Sequence, residues 1–203
     1  MAIKLGVLIS CSGTNLQAII DAIAAGQLDA TVELVVSSRP DAYGITRAQQ
    51  AGINVLVLNK EVYKDRLAAD AQIAQALKEA GCEYVAMAGY MRMVNAPLLE
   101  AFPNRIINLH PALLPSFKGA HAIQDAFDAG VKITGVTVHF ANAEYDKGPI
   151  IAQEPVEVRE GDTVDDLEAR IHETEHRLYP AALQLVALGR VTVTPDFKVS
   201  IAQ

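Results

Sequence analysis

The apolar positions of the chain follow two rhythms. Residues 3–10 (IKLGVLIS) form an almost unbroken apolar run, the pattern of a strand buried on both faces of a parallel sheet. Residues 15–26 (NLQAIIDAIAAG) return apolar side chains every three or four positions and stop at Gly26, as an amphipathic helix does. The same alternation predicts strands over 32–38, 54–58, 84–89 and 105–110. It predicts helices over 42–52, about 63–80 and 97–101. Strand and helix taking turns specify a mostly parallel α/β sheet with helices on both faces. From residue 132 the rhythm changes. Runs 132–140 and 149–158 are longer and partly alternating, which predicts antiparallel strands. A helix over about 164–188 and a short β tail follow. With no repeat, linker or low-complexity stretch, residues 1–203 read as one domain. It has two lobes, about 1–103 and 104–203, meeting at a cleft.

Composition narrows the choice of partners. The 203 residues are enough for a sizeable core, and 51% apolar with 20% charged is ordinary for a globular chain. A net charge of −7 argues against nucleic-acid binding by bulk electrostatics. It leaves room for a small anion held by backbone N–H groups. Two cysteines, Cys11 and Cys82, suggest no disulfide framework and suit a reducing cytoplasm. The N-terminal stretch MAIKLGVLIS reads as a first strand rather than a signal peptide. No apolar run approaches membrane-spanning length.

Four stretches could carry chemistry. SCSGTNL (10–16) joins the first strand to the first helix. Gly13 permits a tight turn, Thr14 or Asn15 is placed to cap the helix, and the free N–H groups of its first turn suit a phosphate. A plain strand-to-helix turn would look the same, and the loop is neither Walker A nor GxGxxG. In IINLHPALLPSFKGAH (106–121), Asn108 and His110 lie two apart on one strand, so they share a face at its carboxyl end. Asn is a neutral donor for a developing oxyanion, and His relays protons near neutrality. In NAEYDKGPI (142–150), Asp146 reads alone as a turn former. Folded back on His110 it would favour the imidazolium. HETEH (172–176) matches the HExxH zinc pattern, with Glu173 in the position of the base. The charged surroundings and the lack of a third ligand argue against zinc, so no metal is expected.

Taken in order, VLISCSGTNLQAII, SSRPDAYGITRAQQAGI, AGYMRMV, INLHPALLPSFKGAH, VTVHFANAEYDKGPII and HRLYP resemble the phosphoribosylglycinamide formyltransferase family of folate-dependent enzymes. The resemblance spans nearly the whole chain. It implies a Rossmann-like formyltransferase fold with a nucleotide-binding half (about 1–103) and a folate-binding, catalytic half (about 104–203). It also implies transfer of the formyl group of 10-formyltetrahydrofolate to glycinamide ribonucleotide in purine biosynthesis. On this sequence the family's catalytic trio falls on Asn108, His110 and Asp146. Its ribonucleotide site falls on Gly13, Thr14 and Asn15 and on His172, Glu173, Thr174 and Glu175. Its folate site falls on Arg66, on Met91, Arg92, Met93 and Val94, on Asn108, and on Asn142, Ala143, Glu144, Tyr145 and Asp146. One departure is Cys11-Ser12, where many members have Gly-Asn. The expected partners are these two small molecules, with no nucleic acid and no membrane, in the cytoplasm; a homodimer is allowed.

The nearest rival is formyltetrahydrofolate hydrolase, which would use the same trio on water but usually carries an N-terminal regulatory domain. A methionyl-tRNA formyltransferase would call for a further C-terminal domain and a basic surface. A non-catalytic nucleotide-binding module would bind nucleotide without formyl transfer.

Overall fold

The structure, a computed structural model, describes residues 2–202. In chain order the elements are β1 (Ile3–Ile9), α1 (Thr14–Ala24), β2 (Ala30–Ser37), α2 (Gly44–Gln50), β3 (Val55–Val57), α3 (Arg66–Glu79), β4 (Tyr84–Met87), α4 (Ala96–Ala101) and β5 (Ile106–His110). They continue as α5 (Ala122–Asp128), β6 (Ile133–Phe140), β7 (Ile150–Glu157), α6 (Val164–Ala187), β8 (Val191–Val193) and β9 (Val199–Ile201). Seven strands form one sheet in the order β3-β2-β1-β4-β5-β6-β7. The first five are parallel, and β6 and β7 join antiparallel at one edge. The mostly parallel α/β expectation therefore holds, as does the switch to antiparallel strands near residue 132.

Alternation along the strands divides the core in two. Leu5, Val7 and Ile9 pack with α1 and α6 through Leu16, Ile19, Leu167, Ile171 and Leu183. Leu8 packs on the other face with Ile73 and Leu77 of α3 and Leu98 of α4. Gly6 lets α3 approach that second face. A Cβ there would sit 2.1 Å from Leu77 Cδ2, so any larger residue would push the helix off the sheet. The sheet order reverses between β1 and β4, and this crevice at the strands' carboxyl ends is where open α/β sheets bind ligands.

Two details depart from the periodicity. The helix over 63–80 is broken, with a single 3₁₀ turn (Val62–Lys64) ahead of α3. Asp65 is extended between them and its carboxylate caps the N–H groups of Leu67 and Ala68. Helix α5 lies where the periodicity predicts no element; seven residues are too few to show a period. Helix α6 runs through Pro180 to Ala187, as the expected helix over about 164–188 does, although proline has no N–H for the helix ladder. That helix is anchored by Tyr179, fully buried, whose hydroxyl lies 3.2 Å from the Met87 carbonyl and 2.9 Å from that of Ile107. Pro155 sits in β7, an edge strand, where a missing N–H costs least. No helix among the described residues is long and apolar enough to cross a membrane.

Candidate active site

A cleft of about 390 Å³ opens at the carboxyl ends of β1, β4 and β5, at the reversal of strand order. Asn108 and His110 project into it from β5, and Asp146 closes it from the loop after β6. Local backbone explains how Asp146 arrives there. Gly148 lies so close to the Phe140 carbonyl that a Cβ would overlap it, at 1.6 Å, and the Phe140 N–H donates to the Pro149 carbonyl at 2.9 Å. That tight return leaves Asp146 in the left-handed region (φ 50°), which an Asp tolerates better than most residues.

The Asp146 carboxylate is buried and faces two imidazoles. His110 Nδ1 is 3.5 Å from Oδ2, and His139 Nε2 is 3.8 Å from Oδ1. The Gly119 N–H donates to Oδ2 at 3.0 Å. His110 Nε2 donates to the Phe117 carbonyl at 2.8 Å, so both of its ring nitrogens face oxygen.

His139 was not singled out from the sequence. Its Nδ1 lies 2.9 Å from the Phe140 carbonyl, which only accepts, so the proton sits on Nδ1. Burial pushes this imidazole below its usual range and outweighs the nearby Asp146 carboxylate, so the ring is neutral. Its Nε2 lone pair then accepts from Asn108 Nδ2 at 3.1 Å, which fixes which way the Asn108 amide points. The pairing is set by register: Asn108 lies directly opposite His139 in the β5–β6 ladder. Opposite His110 stands Thr137, whose hydroxyl donates to the Ala112 carbonyl (2.7 Å) and accepts from the Leu114 N–H (3.1 Å). Gln153 donates to the Leu114 carbonyl at 2.9 Å. The Pro-rich loop behind His110 is thus held by β6 and β7.

One wall of the cleft is built on helices. Gly13 (φ 70°) is the N-cap of α1, and no side chain caps that helix, so neither Thr14 nor Asn15 takes the capping role expected of them. A Cβ on Gly13 would meet Gly44 Cα of α2 at 2.6 Å. Asn15 is buried, with Nδ2 donating to Glu175 Oε2 at 3.0 Å and Oδ1 without a partner. The same Glu175 oxygen accepts from His172 Nδ1 at 2.8 Å, a bond that raises the His172 pKa above its usual value. His172, Glu175 and Tyr179 share one face of α6 by their three- and four-residue spacing. Glu168, one turn before His172, joins them in the cleft. Of the four residues expected here, Glu173 points to solvent. Thr174 is buried and bonds back to the Arg170 carbonyl. The two rings of HETEH stack 6.3 Å apart, and His172 is engaged by Glu175 and Glu168.

The opposite wall is built on loops. Met91, Arg92 and Met93 line the cleft after β4, where the Met91 N–H donates to Ser10 Oγ at 2.9 Å. Val94, Asn142, Glu144 and Tyr145 border a smaller pocket beside Asn108, His139 and Asp146. Ala143 is exposed on the same loop and outside it. Arg66 lies apart, in a depression with Tyr63, Asp70 and Arg92. Met91 and Tyr145 are 60% and 50% exposed, and Met93 is 44% exposed, an apolar surface gathered at one cleft. Each wall draws on both halves of the sequence.

A family model described as formyl transferase matches residues 3–183. The chain belongs to the formyl transferase family. The phosphoribosylglycinamide formyltransferase of Bacillus subtilis (strain 168) is 40% identical over 187 residues, covering 92% of this chain and 96% of that protein. The trifunctional purine biosynthetic protein adenosine-3 of Homo sapiens is 41% identical over 196 residues. That is 97% of this chain but 19% of the relative, so the chain spans about a fifth of the trifunctional proteins it matches. The crystal structure of glycinamide ribonucleotide transformylase 1 from Symbiobacterium toebii superimposes with a TM-score of 0.96 at 50% identity. It covers 100% of this formyl transferase and 95% of that chain.

Proposed function

We propose that this formyl transferase moves the formyl group of 10-formyltetrahydrofolate to the amine of glycinamide ribonucleotide, giving formylglycinamide ribonucleotide and tetrahydrofolate in de novo purine biosynthesis. The observation that carries it is the placement of Asn108, His110 and Asp146 in one cleft with the Gly13 turn and the Asn15–Glu175–His172 wall. We assign the ribonucleotide to the helical wall, its phosphate at the first turn of α1, where free N–H groups and the helix dipole favour an anion. Formyl folate takes the loop wall, its flat ring against Met91, Met93 and Tyr145.

The amine attacks the formyl carbon, a C–N bond forms, and the carbonyl oxygen becomes an oxyanion. Asn108, oriented by His139, and the His110 imidazolium donate to that oxygen. Collapse breaks the bond to folate N10, and one proton passes from the attacking amine to N10 through His110. Asp146 balances the imidazolium charge and holds the ring. Because the Phe117 carbonyl occupies His110 Nε2, a substrate oxygen that uses that N–H takes its place. The transfer is redox-neutral and its charge has side-chain donors, so neither metal nor ATP enters the scheme. Residues 1–203 act in it as one cytoplasmic unit, and a homodimer is compatible.

The test is to mix the protein with a 10-formyl folate and follow free folate with and without glycinamide ribonucleotide. Release is expected only with the ribonucleotide. Equal release without it would make the protein a formyltetrahydrofolate hydrolase.

A further inference from the structure

The loop that turns β1 into α1 is held from outside the cleft. Its carbonyls face α2: the Gly44 N–H donates to the Cys11 carbonyl at 3.2 Å, and Arg47 Nε donates to the Ser12 carbonyl at 2.9 Å. Arg47 Nη1 reaches on to Gln17 Oε1 at 3.2 Å, so the guanidinium spans the start of α1. The peptide bonds of this loop are trans, and in a trans peptide the C=O and N–H point opposite ways. With the Cys11 and Ser12 carbonyls drawn toward α2, the Ser12 and Gly13 N–H groups turn away from it. Neither donates to any group of the protein among the described residues. Ser12 and Gly13 both line the cleft. Arg47 does not; it borders a groove behind the loop, between α1 and α6. It forms no ion pair among the described residues, and its guanidinium carbon lies 5.1 Å from the centre of the Tyr43 ring.

Building on the assignment of the ribonucleotide phosphate to the first turn of α1, we infer that Arg47 is a positioning residue for that phosphate. By holding the Ser12 carbonyl on the α2 side, it aims the Gly13 N–H at the anion, beside the free N–H groups of the first turn. Its unpaired charge adds to the dipole of α1 from behind, without touching the substrate. Without that bond the Ser12–Gly13 peptide is free to turn over and present a carbonyl oxygen, which repels phosphate. Gly13, with no Cβ, sets no steric bar to that rotation.

Steady-state kinetics of Arg47→Met and Arg47→Lys decide this, with inorganic phosphate and the dephosphorylated glycinamide riboside as competitors of the ribonucleotide. In Arg47→Met the ribonucleotide KM is expected to rise about tenfold, the scale of one charged hydrogen bond. The folate KM and kcat should stay within about twofold. The inhibition constant of inorganic phosphate should rise by the same factor as the ribonucleotide KM, while that of the riboside stays at its wild-type value. Arg47→Lys, which keeps the charge and a donor, should recover most of the loss. Arg47 lies outside both core clusters, so thermal midpoints near wild type are expected, and Arg47→Gln repeats the test should Arg47→Met lose its fold. Equal losses for phosphate, riboside and folate would make Arg47 a tie between α2 and α1 and nothing more. An unchanged ribonucleotide KM would remove it from phosphate binding. Either result overturns the inference and leaves the formyl-transfer assignment standing. A wild-type protein that transfers no formyl group to the ribonucleotide would overturn both.

Discussion

The two walls of the cleft hold their residues in different ways. The helical wall places Asn15 and Glu175 at 8% and 5% exposure, bonded to each other and to His172. Tyr179, two turns along α6, fixes that helix to the carbonyls of β4 and β5. The loop wall leaves Met91 and Tyr145 at least half exposed. Its loop 142–146 is shaped by a local turn in which the Glu144 N–H donates to Asn142 Oδ1 at 3.0 Å. One wall is buried and cross-bonded; the other keeps an exposed apolar surface. Asn108, His110 and Asp146, the proposed catalytic trio, lie between them, tied to the sheet on one side through Asn108 and His110 and to the loop on the other through Asp146.

Breaking the trio should have the largest effect. His110→Ala is expected to lower kcat by about a thousandfold, and Asp146→Asn by about a hundredfold, with ribonucleotide KM little changed. The double variant should be no worse than His110→Ala, because the two act as one unit. Losses that multiply would show two independent contributions.

Next comes His139, which belongs to the sheet and touches only Asn108 and Asp146 of the trio. His139→Ala should cost about tenfold to a hundredfold in kcat by freeing the Asn108 amide. Its titration supplies a second readout. The folded pKa is depressed by burial, so between that value and the ordinary imidazole pKa of about 6.5 the unfolded chain binds more protons. His139 therefore disfavours folding as pH drops through that window, and has no such effect above it. Denaturant midpoints at pH 7.5 and pH 5.5 should differ less in His139→Ala than in the wild type. An equal difference would remove His139 as the source.

His172 runs the other way. Its pKa is raised, chiefly by its bond to Glu175, so the protonated pair contributes fully below the ordinary value and is lost as pH rises through the raised one. Within the helical wall, Glu175→Gln should raise ribonucleotide KM about tenfold, the scale of one charged hydrogen bond. Glu173→Gln, one turn face away, should change nothing. A comparable loss in Glu173→Gln would mean α6 presents a different face to the ligand.

The smallest effect is expected on the loop wall. Tyr145→Ala should raise folate KM by a few-fold and leave stability within about 0.5 kcal/mol, because the side chain is half exposed and lies outside both core clusters. A clear fall in the denaturant midpoint would show the loop wall to be as tightly built as the helical one.

Much of this architecture is legible in the sequence. The apolar run of β1 and the 3.6-residue spacing of α1 are local signals, and so is the shift in rhythm at residue 132. Asn108 and His110 share a face because side chains alternate along a strand. Short elements were not legible: α5 has seven residues, and the break before α3 rests on one capping Asp65. The HETEH stretch gave the right helix, but four consecutive residues cannot all face one cleft on a 100° rotation per residue.

Local sequence thus determined which segments become strands and helices, because those choices depend on neighbours a few positions away. Tertiary structure alone decided the rest. The antiparallel register sets His139 opposite Asn108 and Thr137 opposite His110. The tight return at Gly148 turns Asp146 onto His110, and the packing of α6 across the sheet brings Glu175 to Asn15, 160 residues earlier. Such pairings depend on register and burial between distant segments, and a shift of one residue in β6 would send His139 to the other face of the sheet.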